Sequence, residues 1–242
     1  MAHISRHELK QDEFRSTFEE FEEFVKTNYR QIVTVAGIVL VVAGLAVGLK
    51  TYQDRREADA NEALGAALRS FRGYVGELPQ SALMPGLQTF ATQQDKYKKA
   101  QAQFQEVITK FASTPEPTAV AVARYHVGLC QSFLGDSAAA LKTLEESSRA
   151  SDPNIASLAQ FALAGEYQKA GKNADAARIF QQLAAKPTAT VPESAAKLAL
   201  ADLYRSSEPK RAREIYQQLE KQFASNTTIA QAVKEKISTL PQ

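Results

Sequence analysis

Residues 32–49 read IVTVAGIVLVVAGLAVGL, with no charge and Thr34 as the one polar side chain. At about 1.5 Å per helical residue such a run spans roughly 27 Å, close to the about 30 Å of a bilayer's hydrocarbon core. A helix buried against a soluble domain normally keeps a polar stripe, and this one has none. Its flanks carry Lys26, Tyr29 and Arg30 before it and Lys50, Tyr52, Arg55 and Arg56 after it. Tyrosines and long cations belong at lipid–water interfaces. The run is therefore expected to be a membrane-spanning helix. It divides the chain into an N-terminal amphipathic segment (1–31), the transmembrane helix (32–49), a helical stalk and loop (50–91) and a repeat domain (92–242).

A cleaved signal peptide is the competing reading of an apolar run near the start. Signal peptides have a short basic n-region and an apolar stretch of about 7–15 residues. Here the 31 residues before the run hold five Lys/Arg and seven Asp/Glu. The Ala-x-Ala at Ala58–Ala60 lies beyond the apolar end, behind Arg55 and Arg56. An uncleaved anchor fits better.

Residues 8–30 have helical periodicity, with Phe14, Phe18, Phe21 and Val25 on one stripe and five glutamates largely off it. Two readings remain open: a helix lying in the membrane interface, or one docked on a basic protein surface. Interfacial helices are usually basic, and this one is acidic. Within the anchor, Gly37, Gly44 and Gly48 share a face, and Gly44–Gly48 forms a GxxxG. Such a face suits close packing with another membrane helix, although glycine is common in membrane helices in any case.

The 193 residues after the run suffice for a domain with its own core. They carry 24 Lys/Arg and 20 Asp/Glu without a basic run, which gives nucleic-acid binding no support. Cys130 is the sole cysteine, so no intrachain disulfide forms. Abundant Ala and scarce β-branched alternation point to an all-α fold. The stalk helix is expected over Asp54–Tyr74 with Ala58, Leu64, Ala67, Leu68 and Phe71 as its apolar face, and residues 75–91, rich in Gly and Pro, as a loop.

From Gln93 the chain repeats. Gly135 to Gly171, Ala140 to Ala176 and Leu144 to Phe180 are each 36 residues apart, and so are Ala176 to Ala212 and Phe180 to Tyr216. Ala100 and Phe104 take the same two roles 40 residues before Ala140 and Leu144. Each unit reads as helix, short turn and second helix, with Pro115, Pro117, Pro153, Pro187 and Pro192 between units.

This period, with Val127-Gly128, Leu163-Ala164 and Leu200-Ala201 at the Leu-Gly position and Tyr167 and Tyr204 following, resembles a tetratricopeptide repeat over about residues 93–223. No Trp opens a first helix, and the turn at Ser206, Ser207 and Glu208 lacks Gly. The resemblance implies a tetratricopeptide-like α-solenoid. The full layout of short segment, single anchor, stalk and repeats is similar to the YfgM-type ancillary subunits of the bacterial Sec translocon. That resemblance implies a single-pass inner-membrane protein with a cytoplasmic N-terminus and periplasmic repeats, whose partners would be the translocation channel and periplasmic chaperones or emerging clients. Local charge does not decide the orientation: Lys26 and Arg30 stand against Lys50, Arg55 and Arg56.

No phosphate loop, zinc spacing or G-x-S-x-G motif occurs, and no cofactor is expected. His3 and His7 are only two ligands, and His126 with Cys130 reads as a partly exposed imidazole and a buried thiol. The chain is expected to be a membrane-anchored protein-binding scaffold and not an enzyme; the alternative is a self-associating structural membrane protein, such as a homodimer. Repeats of this kind line a groove with their first helices. The groove positions here are Val122, Tyr125, Leu129 and Phe133, then Leu158, Phe161, Gln168 and Lys169, then Leu198, Asp202 and Arg205. Their apolar members could equally pack between helices. The mixture of apolar anchors with Gln, Lys and Arg is what peptide recognition uses.

Overall fold

The computed structural model describes residues 6–77, 86–113 and 116–240, with side chains from Val25 onward apart from Thr227. The side chains of the Phe14, Phe18 and Phe21 stripe and of His7 lie outside what is described, as do residues His3 and Pro115 altogether. The fold is all-α, with one two-residue strand pair among the described residues. In order come α1 (Arg6–Phe71), β1 (Tyr74–Val75), β2 (Thr89–Phe90), α2 (Gln93–Phe111), α3 (Thr118–Phe133), α4 (Ser137–Ser147), α5 (Pro153–Lys169), α6 (Asn173–Ala185), α7 (Glu193–Tyr204), α8 (Pro209–Gln222) and α9 (Thr227–Ser238). The chain divides into two compact units, Met1–Arg55 and Arg56–Gln242.

In the first unit α1 is long and apolar enough to cross a membrane, and the apolar window is exposed throughout. Leu40 keeps 73% of its surface, which no core helix of a soluble domain would do. Thr34 donates its hydroxyl to Arg30 O at 2.8 Å, so the one polar side chain of the run is satisfied by its own helix. Such internal satisfaction is what a lipid environment demands.

The second unit opens with the last turns of α1. Ala60, Leu64 and Ala67 are buried and Leu68 and Phe71 partly so, while Ala58 is exposed. The inward face thus begins at Ala60, four residues before Leu64; Ala58 is six before it, on the opposite side. The helix ends at Phe71, short of Tyr74. At Gly73 a Cβ would lie 2.4 Å from the Phe90 ring and 2.9 Å from Gln88 O, so only glycine passes here. The expected 75–91 loop is bracketed by β1 and β2, which pair in parallel as Tyr74↔Thr89 and Val75↔Phe90. Buried Ser70 braces the bracket by donating to Gln88 Oε1 at 2.6 Å.

The helix pairs α3–α4, α5–α6 and α7–α8 follow from the small and large residues of the repeat. Ala140, Ala176 and Ala212 have no exposed surface, and neither do Leu144 and Tyr216; Phe180 keeps 2%. A Cβ on Gly128 would sit 2.8 Å from the Leu144 side chain, so helices α3 and α4 cross where only glycine fits well. The turns at Gly135 (φ +83°) and Gly171 (φ +72°) are left-handed, the conformation glycine adopts without strain. Each closes a helix with a six-to-one bond: Asp136 N to Gln131 O at 2.9 Å, and Lys172 N to Tyr167 O at 2.8 Å. The third turn needs no glycine because none of Ser206, Ser207 and Glu208 takes a positive φ.

Two cores result. One joins Ala60, Leu64 and Ala67 to α2 and α3 through Phe104, Val107, Val120 and Cys130. The other runs from Leu144 to Leu240. Full burial of a Phe, Val or Leu contributes about 1.5–3 kcal/mol each before entropy is counted. Helix α9 lies beyond the expected repeats and closes the second core with Val233, joined by Leu240 just past its end. Its N-cap Asn226 accepts from Ile229 N at 3.2 Å.

Candidate functional site

The groove positions lie on α3, α5 and α7, with Arg205 as the C-cap of α7, and packing divides them into three groups. Tyr125, Leu158, Phe161 and Leu198 are half-buried against the second core, and Val122 against the first; Leu129 is half-buried as well. Phe161 meets Phe180 edge-on at 5.3 Å. Burial pushes the Tyr125 phenol up. Leu198 lines an apolar hollow of about 260 Å³ between α7, α8 and α9, with Leu219, Ile229 and Val233.

The second group is polar and engaged by other side chains of the domain. Asp202 holds Lys236 of α9 at 2.7 and 2.8 Å and accepts from the Tyr216 hydroxyl at 2.5 Å. Arg205 donates to Thr239 Oγ1 at 2.8 Å. On α5, Lys169 reaches Glu166 Oε1 at 2.6 Å and Ser132 Oγ at 2.7 Å. Glu166 is 3% exposed, and its Oε1 also accepts from Ser132 at 2.5 Å. Its Oε2 has no partner among the described residues. A carboxylate so buried is tolerable only because a cation and a hydroxyl meet it.

The third group faces solvent. Phe133 is 56% exposed and Gln168 is exposed. Phe133 stacks on Tyr97 of α2 with ring centroids 4.4 Å apart and an interplanar angle of 10°. Phe71 lies 5.6 Å from Tyr97 and 6.2 Å from Phe133, so the two rings continue an aromatic array rooted in the first core. Repeat spacing places Phe133 but not Tyr97, Glu166 or Ser132. Tyr97 belongs to a second helix, and the stack joins rings 36 residues apart in the chain.

His126 sits within this array, stacked on Phe104 at 4.9 Å and edge-on to Phe71 at 5.2 Å. Its Nδ1 is 2.9 Å from Val122 O. Burial lowers its pKa, and the Arg72 charge lowers it further. The Cys130 thiol is wholly buried and pushed up to about 12 by burial. Among the described residues no three His, Cys, Asp or Glu side chains gather as metal ligands. In the membrane run, a Cβ at Gly37, Gly44 or Gly48 would meet nothing within 4 Å, so that face is open.

No family model matches the chain, and no curated protein matches it either. Among solved structures it is similar to a Podosopora anserina chain of nearly identical TPR-like repeats assigned to a kinesin light chain. The likeness has a TM-score of 0.51 at 18% identity and covers 60% of this chain and 78% of that one. A singly substituted form of the same repeats matches with a TM-score of 0.51 at 17% identity, over 60% and 77%. The domain therefore has a tetratricopeptide-like repeat fold.

Proposed function

We propose that this protein is a membrane-anchored scaffold that binds other proteins through the first-helix face of its repeats. The observation that carries this reading is the joining of a tetratricopeptide-like domain to a helix whose apolar run is exposed throughout. Such repeats stack by nearest-neighbour contacts and leave an extended first-helix surface for partners. Tyr125, Leu129, Phe133, Phe161, Gln168, Leu198 and Arg205 form that surface. Of these, Phe133 and Gln168 are the most available; Arg205 is already engaged with Thr239.

At a finer level we place the scaffold in the bacterial inner membrane as an accessory to the Sec translocon. Residues 1–31 would be cytoplasmic, 32–49 would span the bilayer, 50–91 would form stalk and loop, and 92–242 would be periplasmic, meeting chaperones or emerging clients. The layout of the chain supports this reading. Added protease should then digest the repeat domain in spheroplasts; a protected domain would reverse the topology and remove the translocon assignment. A second reading, self-association through the membrane helix, is favoured by the open Gly37, Gly44 and Gly48 face. Gly44→Ile with Gly48→Ile should still insert but block close approach of a second helix. Cross-linking in native membranes separates the two. Heterologous adducts support the scaffold, and a lone homodimer lost in the double variant supports self-association.

A further inference from the structure

Three large apolar side chains stay exposed among the described residues of the second unit: Phe133 at 56%, Tyr74 at 45% and Leu87 at 40%. They belong to one neighbourhood. Phe133 contacts Phe71 at 6.2 Å, Phe71 ends the helix three residues before Tyr74, and Tyr74 N donates to Gln88 O, next to Leu87, at 2.8 Å. Elsewhere on the first-helix face the large apolar side chains are half-buried. An apolar cluster left at one end of an otherwise well-covered domain marks an interaction site.

Charge identifies what it receives. Residues 69–99 hold five Lys/Arg and two Asp/Glu. Lys96 lies 4.6 Å over the Tyr97 ring, on the ring already stacked against Phe133. Lys99 lies 5.8 Å from the Phe90 ring. Arg72 is near enough for its charge to act on His126. None of Arg72, Lys96 and Lys99 makes an ion pair among the described residues. Of the acids nearest Phe133 in the fold, Glu166 is buried and held by Lys169 and Ser132, next to Phe133 in the chain, and Asp136, three residues on, caps α4. Of the two acids within 69–99, Asp95 accepts from the Thr92 hydroxyl, and Glu77 lies exposed two residues beyond Val75 of β1.

Resting on the protein-binding reading, we propose that this platform takes an acidic peptide segment bearing an aromatic side chain. The partner's ring adds to the Tyr97–Phe133 stack on the open side of Phe133, and its carboxylates meet Arg72, Lys96 and Lys99. The ring supplies most of the affinity, as buried aromatic anchors do, and the charges supply selection and salt dependence.

The test uses the full chain in nanodiscs of zwitterionic lipid, titrated into three fluorescein-labelled peptides with the cores Glu-Asp-Phe-Asp-Glu, Glu-Asp-Ala-Asp-Glu and Lys-Arg-Phe-Arg-Lys. The first should bind, and the other two should bind at least about tenfold more weakly. Phe133→Ala should weaken the first by about tenfold or more. Lys96→Gln with Lys99→Gln should flatten its salt dependence. Phe133 is exposed, so the variant should keep its circular dichroism and melting transition. Equal binding by wild type and Phe133→Ala, or no preference among the peptides, overturns the platform. Cross-linking in membranes keeps the two proposals apart: heterologous adducts that survive Phe133→Ala leave the scaffold standing without the platform, and their absence from wild type removes the scaffold itself.

Discussion

The two ends of the repeat domain use the first-helix face in opposite ways. At the C-terminal end the polar positions of α7 are closed off: Asp202 grips Lys236 and Tyr216, and Arg205 reaches Thr239. At the N-terminal end α3 finishes on Phe133, which turns one ring face to Tyr97 and leaves over half its surface in water. Closing the last pair with a polar helix protects a stack that would otherwise expose its core. Leaving an aromatic uncovered at the other end has no stabilising purpose of that kind. The same first-helix face can thus be a clamp or a contact surface, depending on whether another helix supplies partners for it.

The largest effect should come from the clamp's base. Tyr216→Ala removes a side chain with no exposed surface and should cost about 3–5 kcal/mol, read as a drop in the denaturant midpoint. Tyr216→Phe keeps the volume and loses only the bond to Asp202, for about 1.5–3 kcal/mol. A Phe variant as damaging as Ala would show that hydrogen bonding, not packing, holds this end. Lys236→Met should cost less, about 0.2–1 kcal/mol, since the Lys236–Asp202 pair is roughly one-third exposed. Phe133→Ala should change stability by no more than about 0.5 kcal/mol. A loss comparable to that of Tyr216→Ala would make Phe133 a core residue and erase the contrast between the ends.

His126 gives the contrast a pH signature. Burial among Phe71, Phe104 and Tyr125 holds its folded pKa below the ordinary 6.5. Its contribution to stability is complete above about 6.5, falls as the pH drops from there towards the folded pKa, and changes no further below it. His126→Phe should remove this part of the acid sensitivity while leaving the remainder set by carboxylates. An unchanged pH profile of unfolding in that variant would show that the imidazole titrates as freely folded as unfolded.

Much of the fold was legible in the residues, for physical reasons. An uncharged run of eighteen residues is long and apolar enough to cross a bilayer, and Ala140, Ala176 and Ala212 at a 36-residue period can be small only where helices cross. The stalk face was off by Ala58 because Ala in a helix reports little about its side. Helix α9 carries no A-x-x-x-F/L/Y and so escapes the repeat pattern, although Asn226 with Ile229, Val233 and Ile237 spells a capped amphipathic helix. The candidate face was legible only as a face. Which of its polar members are engaged depends on residues 34 positions away, as with Asp202 and Lys236 or Ser132 and Glu166. No local pattern records those pairings.

The claim that the first-helix face binds protein is tested most directly by site-specific photo-cross-linking of the full chain in native membranes. A photoreactive residue replaces Gln168, exposed on α5, or Gln181, exposed on the second helix α6. The account predicts discrete heterologous adducts from position 168 and few or none from 181. The same adducts from both positions, or only adducts between copies of this chain, would contradict it.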